Sequence, residues 1–416
     1  MMTFAAHRQS RLNLSTSGEA GGVSIEPTAV CIVQPNVAAL SETFIQAHAD
    51  RLPATIHVVH GYPPRVGTQL IASQPLAARA MMKGWRRLTR SPRQREVTAD
   101  FTRAFRQLRP AVVLAEYGPT GVAVREACQA LDIPLVVHFH GFDANQHETL
   151  DEHRDSYPIL FREAAAIVVV SKHMESRLLS LGADPRTTHL NPYGVDCSLF
   201  EGATPASADP ILLAVGRFVD KKAPQTTIGA FADAYRGCTA ARLRMIGDGP
   251  LLAECRELAQ ALGIAHAVRF LGSQPPDVVR LEMRQVRAFV QHSVAAASGD
   301  SEGLPLSILE AGATGLPVVS TRHAGIPDAV IENETGILVD EGDVAAMTAG
   351  MRAVLQSPPL AGYLGLNARV RIRHHFSIER SITGLWEILQ SSSRRQIGDA
   401  ALPVLTHLLR GREHRA

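Results

Sequence analysis

Two glutamates eight residues apart, in Ser301-Glu302-Gly303-Leu304-Pro305-Leu306-Ser307-Ile308-Leu309-Glu310, are the residues best spaced to do chemistry in this chain. Gly303 leaves bare backbone beside Glu302, and a helix is predicted to begin near Leu306. The N-terminus of a helix carries unpaired N–H donors and a partial positive charge, which suits a diphosphate. Glu302 lies before that helix and Glu310 about one turn inside it, so both carboxylates can accept hydrogen bonds from hydroxyls of one ligand. A phosphate seat with two hydroxyl-reading carboxylates suits a nucleotide sugar. Two solvated glutamates on a surface helix would show the same spacing.

Other candidate groups fall where predicted strands end. Arg217 and Lys222, in Gly216-Arg217-Phe218-Val219-Asp220-Lys221-Lys222, follow one strand and can neutralise a diphosphate leaving group, with Lys221 expected to face solvent. No catalytic metal or other cofactor is then required. Gly247 and Gly249, around Asp248, allow close backbone approach, although a tight turn alone would also explain them. In the first half, Val137-His138-Phe139-His140-Gly141-Phe142-Asp143 places two histidines on one face of a strand, with Asp143 either orienting His140 or binding acceptor hydroxyls. A histidine there can donate to a hydroxyl or a phosphate, and a satisfied structural histidine is the alternative.

These groups need a scaffold of strands and helices. Apolar runs at residues 29–33, 56–59, 112–115, 135–138 and 167–170 alternate with helical stretches. A second series follows at 211–215, 243–246, 268–271, 288–291, 318–320 and 336–339. Short β-rich runs alternating with helices predict parallel sheets wrapped on both faces, here two Rossmann-like domains in tandem. Their boundaries are read as a flexible tail at 1–27, a first domain at 28–200, a linker at 201–209, a second domain at 210–376, a crossing helix at 377–392 and a basic tail at 393–416.

Composition narrows the class. The 416 residues are 45% hydrophobic and 20% charged, a globular balance, and no apolar run reaches the length of a membrane span. The five cysteines are scattered without metal-like spacing and read as buried thiols of a reducing compartment. With no continuous apolar core in the first 27 residues, no signal peptide is expected and a cytoplasmic location is the default. Between Arg79 and Arg109 ten basic residues face two acids, Glu96 and Asp100, with Met81, Met82, Trp85 and Leu88 interleaved. Such a segment suits the anionic cytoplasmic face of an inner membrane or is simply a solvated face. No nucleic-acid-binding module accompanies it.

In order, Gly216–Lys222, Ile246-Gly247-Asp248-Gly249-Pro250, Phe270-Leu271-Gly272 and the two-glutamate loop resemble the retaining glycosyltransferases of family 4. Leu40-Ser41-Glu42-Thr43-Phe44-Ile45 and Gly299-Asp300-Ser301-Glu302-Gly303 resemble the branch that builds bacterial exopolysaccharides such as colanic acid or amylovoran. The resemblance implies an α/β GT-B fold: two Rossmann-like domains whose parallel sheets face a deep interdomain cleft. The first would bind the acceptor and the second the nucleotide sugar. It implies a hexosyltransferase acting from UDP- or GDP-hexose onto a glycan or a polyprenyl-diphosphate-linked oligosaccharide. His140, Arg217, Lys222 and Glu302 would be catalytic. Gly216, Gly247, Gly249, Leu271, Gly303, Leu304, Leu306 and Glu310 would line the donor, with Glu310 on the ribose. His138, Asp143, Ser41 and Glu42 would stand on the acceptor side. Two departures stand out: Ala223-Pro224 replaces the usual glycine after the two lysines, and the loop after the first strand, Pro35–Ser41, lacks the glycines common in relatives. A catalytically silent nucleotide-sugar-binding partner, or an epimerase or phosphorylase on the same fold, are the alternatives.

Overall fold

The structure, a computed structural model, describes residues 28–36, 43–71 and 94–393. Strands β1 (Ala29–Gln34), β2 (Thr55–His60), β3 (Arg65–Val66), β4 (Gln69–Leu70), β5 (Val112–Glu116), β6 (Leu135–His138), β7 (Ala166–Val169) and β8 (Thr188–Leu190) form one sheet in the order β4-β3-β2-β1-β5-β6-β7-β8. Strands β9 (Ile211–Val215), β10 (Arg242–Ile246), β11 (Val268–Phe270), β12 (Ala288–Gln291), β13 (Val318–Thr321) and β14 (Gly336–Val339) form a second, β11-β10-β9-β12-β13-β14. Strands β5, β6, β7, β12 and β13 are buried along their whole length. Their near-continuous Val, Ile, Leu and Ala content is what a sheet covered on both faces requires.

Two features depart from the sequence reading. The first sheet is not wholly parallel: β2 turns back through β3 and β4 as a short antiparallel edge. Two-residue strands carry too little periodicity to be read from sequence, and β8, which was also missed, has only three residues. Of the five free thiols, Cys31, Cys128 and Cys255 are buried, whereas Cys197 and Cys238 are only partly so.

In each sheet the chain reverses its direction of travel once, between β1 and β5 and between β9 and β12. Such switch points leave a crevice at the strand C-termini. The loops after β6, β9 and β12 end there, and they carry His140, Arg217, Lys222 and Glu302. A nine-residue helix, Leu306–Thr314, follows the two-glutamate loop; Gly315, at φ 99°, closes it by donating to the carbonyls of Ala311 and Gly312. That left-handed cap is the reason glycine stands at its end.

The chain returns to the first sheet after the second is complete. Val195 pairs with Ser377, and a helix over 378–393 packs Ile378, Ile382, Leu385 and Leu389 against Val30, Ile32, Leu114, Val136 and Val168. The spacing of four, three and four puts all four on one helical face. Direct hydrogen bonds join the two halves elsewhere: the His147 N–H donates to the Ser298 carbonyl at 2.8 Å, and the Lys172 N–H to Asp328 Oδ2 at 2.7 Å. Among the described residues, no helix is long and apolar enough to cross a membrane.

Candidate functional site

After β9 the chain makes a short 3-10 turn, Asp220–Lys222, before the helix Pro224–Gly237. The turn swings Lys222 back under Gly216 and sets its Nζ 2.8 Å from Oε1 of Glu302. Glu302 is buried, and Ser293 donates to the same oxygen at 3.3 Å. Burial alone would raise the Glu302 pKa; the Lys222 ion pair and the field of Lys221 outweigh it and hold the carboxyl below its ordinary range. Arg217 is exposed and, among the described residues, its guanidinium makes no hydrogen bond or ion pair. Arg217, Lys222, Gly216, Phe218, Ile246 and Gln291 line one small cavity at the ends of β9, β10 and β12. A fixed lysine and an uncommitted arginine thus share one wall, as a polyanionic ligand would need.

The solvent-facing Lys221 expected from sequence is corrected. It is 12% exposed and its Nζ lies 2.9 Å from Asp300, so it braces the loop that carries Glu302. His323, not foreseen, braces the same loop from the other side. Its Nε2 receives the Glu302 N–H at 3.2 Å, while its Nδ1 lies 2.6 Å from Oε1 of Glu341. Nothing in local sequence marks His323, because it arrives from the turn after β13.

The glycines serve the fold first. A Cβ on Gly247 (φ +140°) would overlap the carbonyl oxygen of Gly216, and one on Gly249 (φ +152°) would meet the Phe218 carbonyl. Both allow the loops after β9 and β10 to nest together, and the neighbour is protein backbone, in line with the tight-turn alternative. Gly303 is pressed against the first half of the chain, where a Cβ would overlap the carbonyl oxygen of His140. Leu304 is buried, whereas Leu271 and Leu306 are half-buried where they meet the core. Glu310 sits partly buried on the helix; burial, opposed by Arg280, pushes its carboxyl up to about 7.

In the first half, β5 and β6 pair so that Glu116 and His138 are direct partners. Glu116 is fully buried and receives three histidines. His48 Nδ1 lies 2.8 Å from Oε1, His140 Nε2 lies 2.8 Å from Oε2, and His138 Nδ1 approaches Oε2 at 3.6 Å. Burial pushes the Glu116 pKa up, but His48 and His140 outweigh it and hold the carboxyl well below its ordinary range. Burial and the neighbouring His140 keep His138 neutral, its pKa far below the ordinary value. The other ring nitrogen of His140, Nδ1, pairs with the Tyr193 hydroxyl at 2.5 Å, and Phe44 packs on its face. Both His140 nitrogens are therefore occupied within the protein, and a contact from this ring to a ligand must displace one of them.

The acceptor-side expectations change accordingly. His138 is 1% exposed and lies behind His140, where it cannot meet an acceptor. Asp143 is fully buried, and its carboxylate accepts the backbone N–H groups of Gly118, His140 and Gly141. It fixes the main chain of His140 and has no face for acceptor hydroxyls. Ser41 and Glu42 lie outside the described residues, as does the segment from Arg79 to Arg93. Glu116, His48 and Tyr193 were not singled out from sequence. An acid ending the predicted strand at 112–115 was the available signal for the first, whereas the other two depend on tertiary packing.

Residues 199–371 match the family described as "Glycosyl transferases group 1" and residues 42–194 the "Glycosyl transferase 4-like domain". The chain is similar to the putative colanic acid biosynthesis glycosyltransferase WcaL of Escherichia coli (strain K12), 30% identical over 290 residues that span 68% of this chain and 71% of that protein. It is 27% identical to the amylovoran biosynthesis glycosyltransferase AmsK of Erwinia amylovora, over 67% of this chain and 70% of that one. Among solved structures, Anabaena Alr3699/HepE in complex with UDP superposes with a TM-score of 0.68 at 16% identity, covering 88% of this chain and all (100%) of that one. A sucrose-phosphate synthase from Thermosynechococcus elongatus gives 0.66 at 18% identity, over 90% and 100%. At those identities the likeness speaks for the fold, which is GT-B: two Rossmann-like domains.

Proposed function

Since this chain belongs to the group 1 glycosyltransferases, we propose that it is a retaining hexosyltransferase that moves a hexosyl group from a UDP- or GDP-hexose to a lipid-linked oligosaccharide during exopolysaccharide synthesis. The observation that carries the reading is the Lys222–Glu302 pair at 2.8 Å beside the exposed Arg217, at the mouth of a crevice between strand ends. A diphosphate arriving there meets two cations, one fixed and one uncommitted, and its developing charge is offset as the bond to the sugar breaks. No metal at the diphosphate enters this reading.

Glu302, already ionised and tied to Lys222, contacts hydroxyls of the transferred sugar and is not the nucleophile. Glu310 accepts from the ribose hydroxyls. The acceptor hydroxyl approaches on the face from which the diphosphate leaves, and a phosphate oxygen takes its proton. The names of WcaL and AmsK, assigned to colanic acid and amylovoran synthesis, support the exopolysaccharide setting. Contact of the 79–109 segment with anionic lipid belongs to the same reading, and co-sedimentation with anionic but not neutral vesicles supports it.

The test is a panel of UDP-, GDP- and ADP-hexoses with purified protein and a lipid-linked acceptor. Transfer is expected from one nucleotide class, with the anomeric configuration of the donor kept in the product by NMR. Inverted product overturns the retaining mechanism. Folded protein whose melting temperature responds to none of the nucleotides, and which transfers nothing, overturns the donor site.

A further inference from the structure

The cluster behind His140 contains a histidine that protein–protein hydrogen bonding does not account for. His138 is 1% exposed, yet among the described residues neither of its ring nitrogens has a hydrogen-bond partner. A buried polar group left without a partner costs about 1–3 kcal/mol. Its Nδ1 faces Oε2 of Glu116 at 3.6 Å, longer than a hydrogen bond. His48 Nδ1 faces the other oxygen of Glu116, and ligand atoms of His48, Glu116 and His138 all lie within 4.8 Å of one another.

The geometry points to a divalent transition-metal site, His48–Glu116–His138, with zinc as the ion it suits best. Zinc takes imidazole nitrogen at about 2.0–2.1 Å and carboxylate oxygen at about 2.0–2.2 Å with tetrahedral angles. Two imidazoles on one such ion hold their ring centroids roughly 5 Å apart. The His48 and His138 centroids are 5.3 Å apart, with an angle of 27° between the planes. Both rings offer a nitrogen lone pair to an ion. Together with the Glu116 carboxylate they make a His2Glu set, borderline-soft nitrogen plus one hard oxygen, which selects zinc over magnesium or calcium.

Three separate elements bring the groups together. Glu116 and His138 are register partners at the C-terminal ends of β5 and β6, and His48 comes from the helix Thr43–Arg51 laid over them. On binding, the ion replaces the proton that otherwise joins His48 to Glu116. It also gives the His138 lone pair a partner. The second oxygen of Glu116 stays 2.8 Å from His140 Nε2, so His140 is the outer partner that orients the ligating carboxylate. The metal in turn fixes the ring of His140, the residue whose backbone carbonyl abuts Gly303, and its role is to position that loop. This site is separate from the diphosphate seat and stands whether or not the donor reading holds.

The experiment measures metal on the full-length protein without donor or acceptor. Protein prepared without chelator is analysed for bound metal, then stripped and titrated with zinc alone and cobalt(II) alone. About one equivalent of zinc per chain is expected, raising the melting temperature until chelator is added. Cobalt should give the visible bands of a tetrahedral nitrogen–oxygen site without a thiolate charge-transfer band. His138→Gln should weaken zinc by more than about 100-fold, whereas His140→Asn, which removes only an outer partner, should cost about 10- to 100-fold. Zinc stoichiometry unchanged in folded His138→Gln would mean binding at surface histidines and would overturn the proposal. So would folded wild-type protein that takes up neither ion at micromolar concentration, a result that holds even where the variants fail to fold.

Discussion

Among single residues, Lys222 and Arg217 carry like charge but unlike environments, and that difference is measurable. Lys222 neutralises a buried carboxylate, so Lys222→Ala leaves Glu302 unpaired and costs stability of up to about 3–5 kcal/mol, the range for breaking a buried pair. Arg217 is exposed, so Arg217→Ala should move stability by less than about 0.5 kcal/mol. Both should lower kcat by roughly 100- to 1,000-fold, the scale of losing one preorganised charge stabiliser. Calorimetry beside turnover separates the two effects, and undiminished turnover in both variants would remove their leaving-group role. Glu310 gives a pH signature. Its carboxyl, raised from 4.5 to about 7, holds its proton in the folded state across an interval where the unfolded chain has lost it. That stabilisation is complete below about 4.5 and is lost as pH rises through about 7. Glu310→Gln should therefore be more stable than the native protein at pH 8 and equal to it at pH 4. Ribose hydroxyls donate to the ionised form, so nucleotide affinity should weaken as pH falls below about 7. A dissociation constant that is flat from pH 5.5 to 8 by titration calorimetry would detach Glu310 from the ribose.

For the secondary-structure elements, the loop between β12 and the helix Leu306–Thr314 is where the two halves of the chain meet. Gly303 leaves no room for a Cβ beside the His140 carbonyl, and a Cβ on Gly325 would overlap the Gly303 carbonyl from the opposite side. A Gly303→Ala chain must push these backbones apart, because neither can rotate away as a flexible side chain would. The halves should separate at that point, with a larger radius of gyration by small-angle scattering and a loss of turnover of at least about 100-fold, the scale for a 1 Å misplacement. Secondary structure by circular dichroism should stay intact, since the residue lies outside every helix and strand. An unchanged radius with native turnover would show that this contact does not set the spacing of the halves.

The molecule as a whole is tied together by its last described helix, which leaves the second sheet and covers the first. Leu385 and Leu389 are fully buried there against β1, β5, β6 and β7. Leu385→Ala should cost about 2–5 kcal/mol by removing buried methylenes and leaving a cavity. Because that helix closes the chain back onto its beginning, the loss should appear as a lower melting temperature of the unit containing β1, read by hydrogen exchange in residues 29–34. Exchange unchanged there would mean that the helix is not part of that cooperative unit.

The sequence by itself determined the two alternating series of buried strands, the glycine that ends the helix after the two-glutamate loop, and the acids and cations that share the crevice. Each is a local matter of periodicity, backbone freedom or charge at a strand end, and all eleven strands expected lie within one residue of the observed bounds at both ends. What only the tertiary structure decided is how those groups are already occupied. Lys221 turns to Asp300, Asp143 is taken up by backbone N–H groups, and His138 and His140 meet at a carboxylate 22 and 24 residues before them in the chain. Such pairings depend on strand register and on the approach of elements distant in sequence, where the energy of a buried charge is set by all its neighbours at once. No window of sequence contains those neighbours together, and the fold alone brings them within hydrogen-bonding reach.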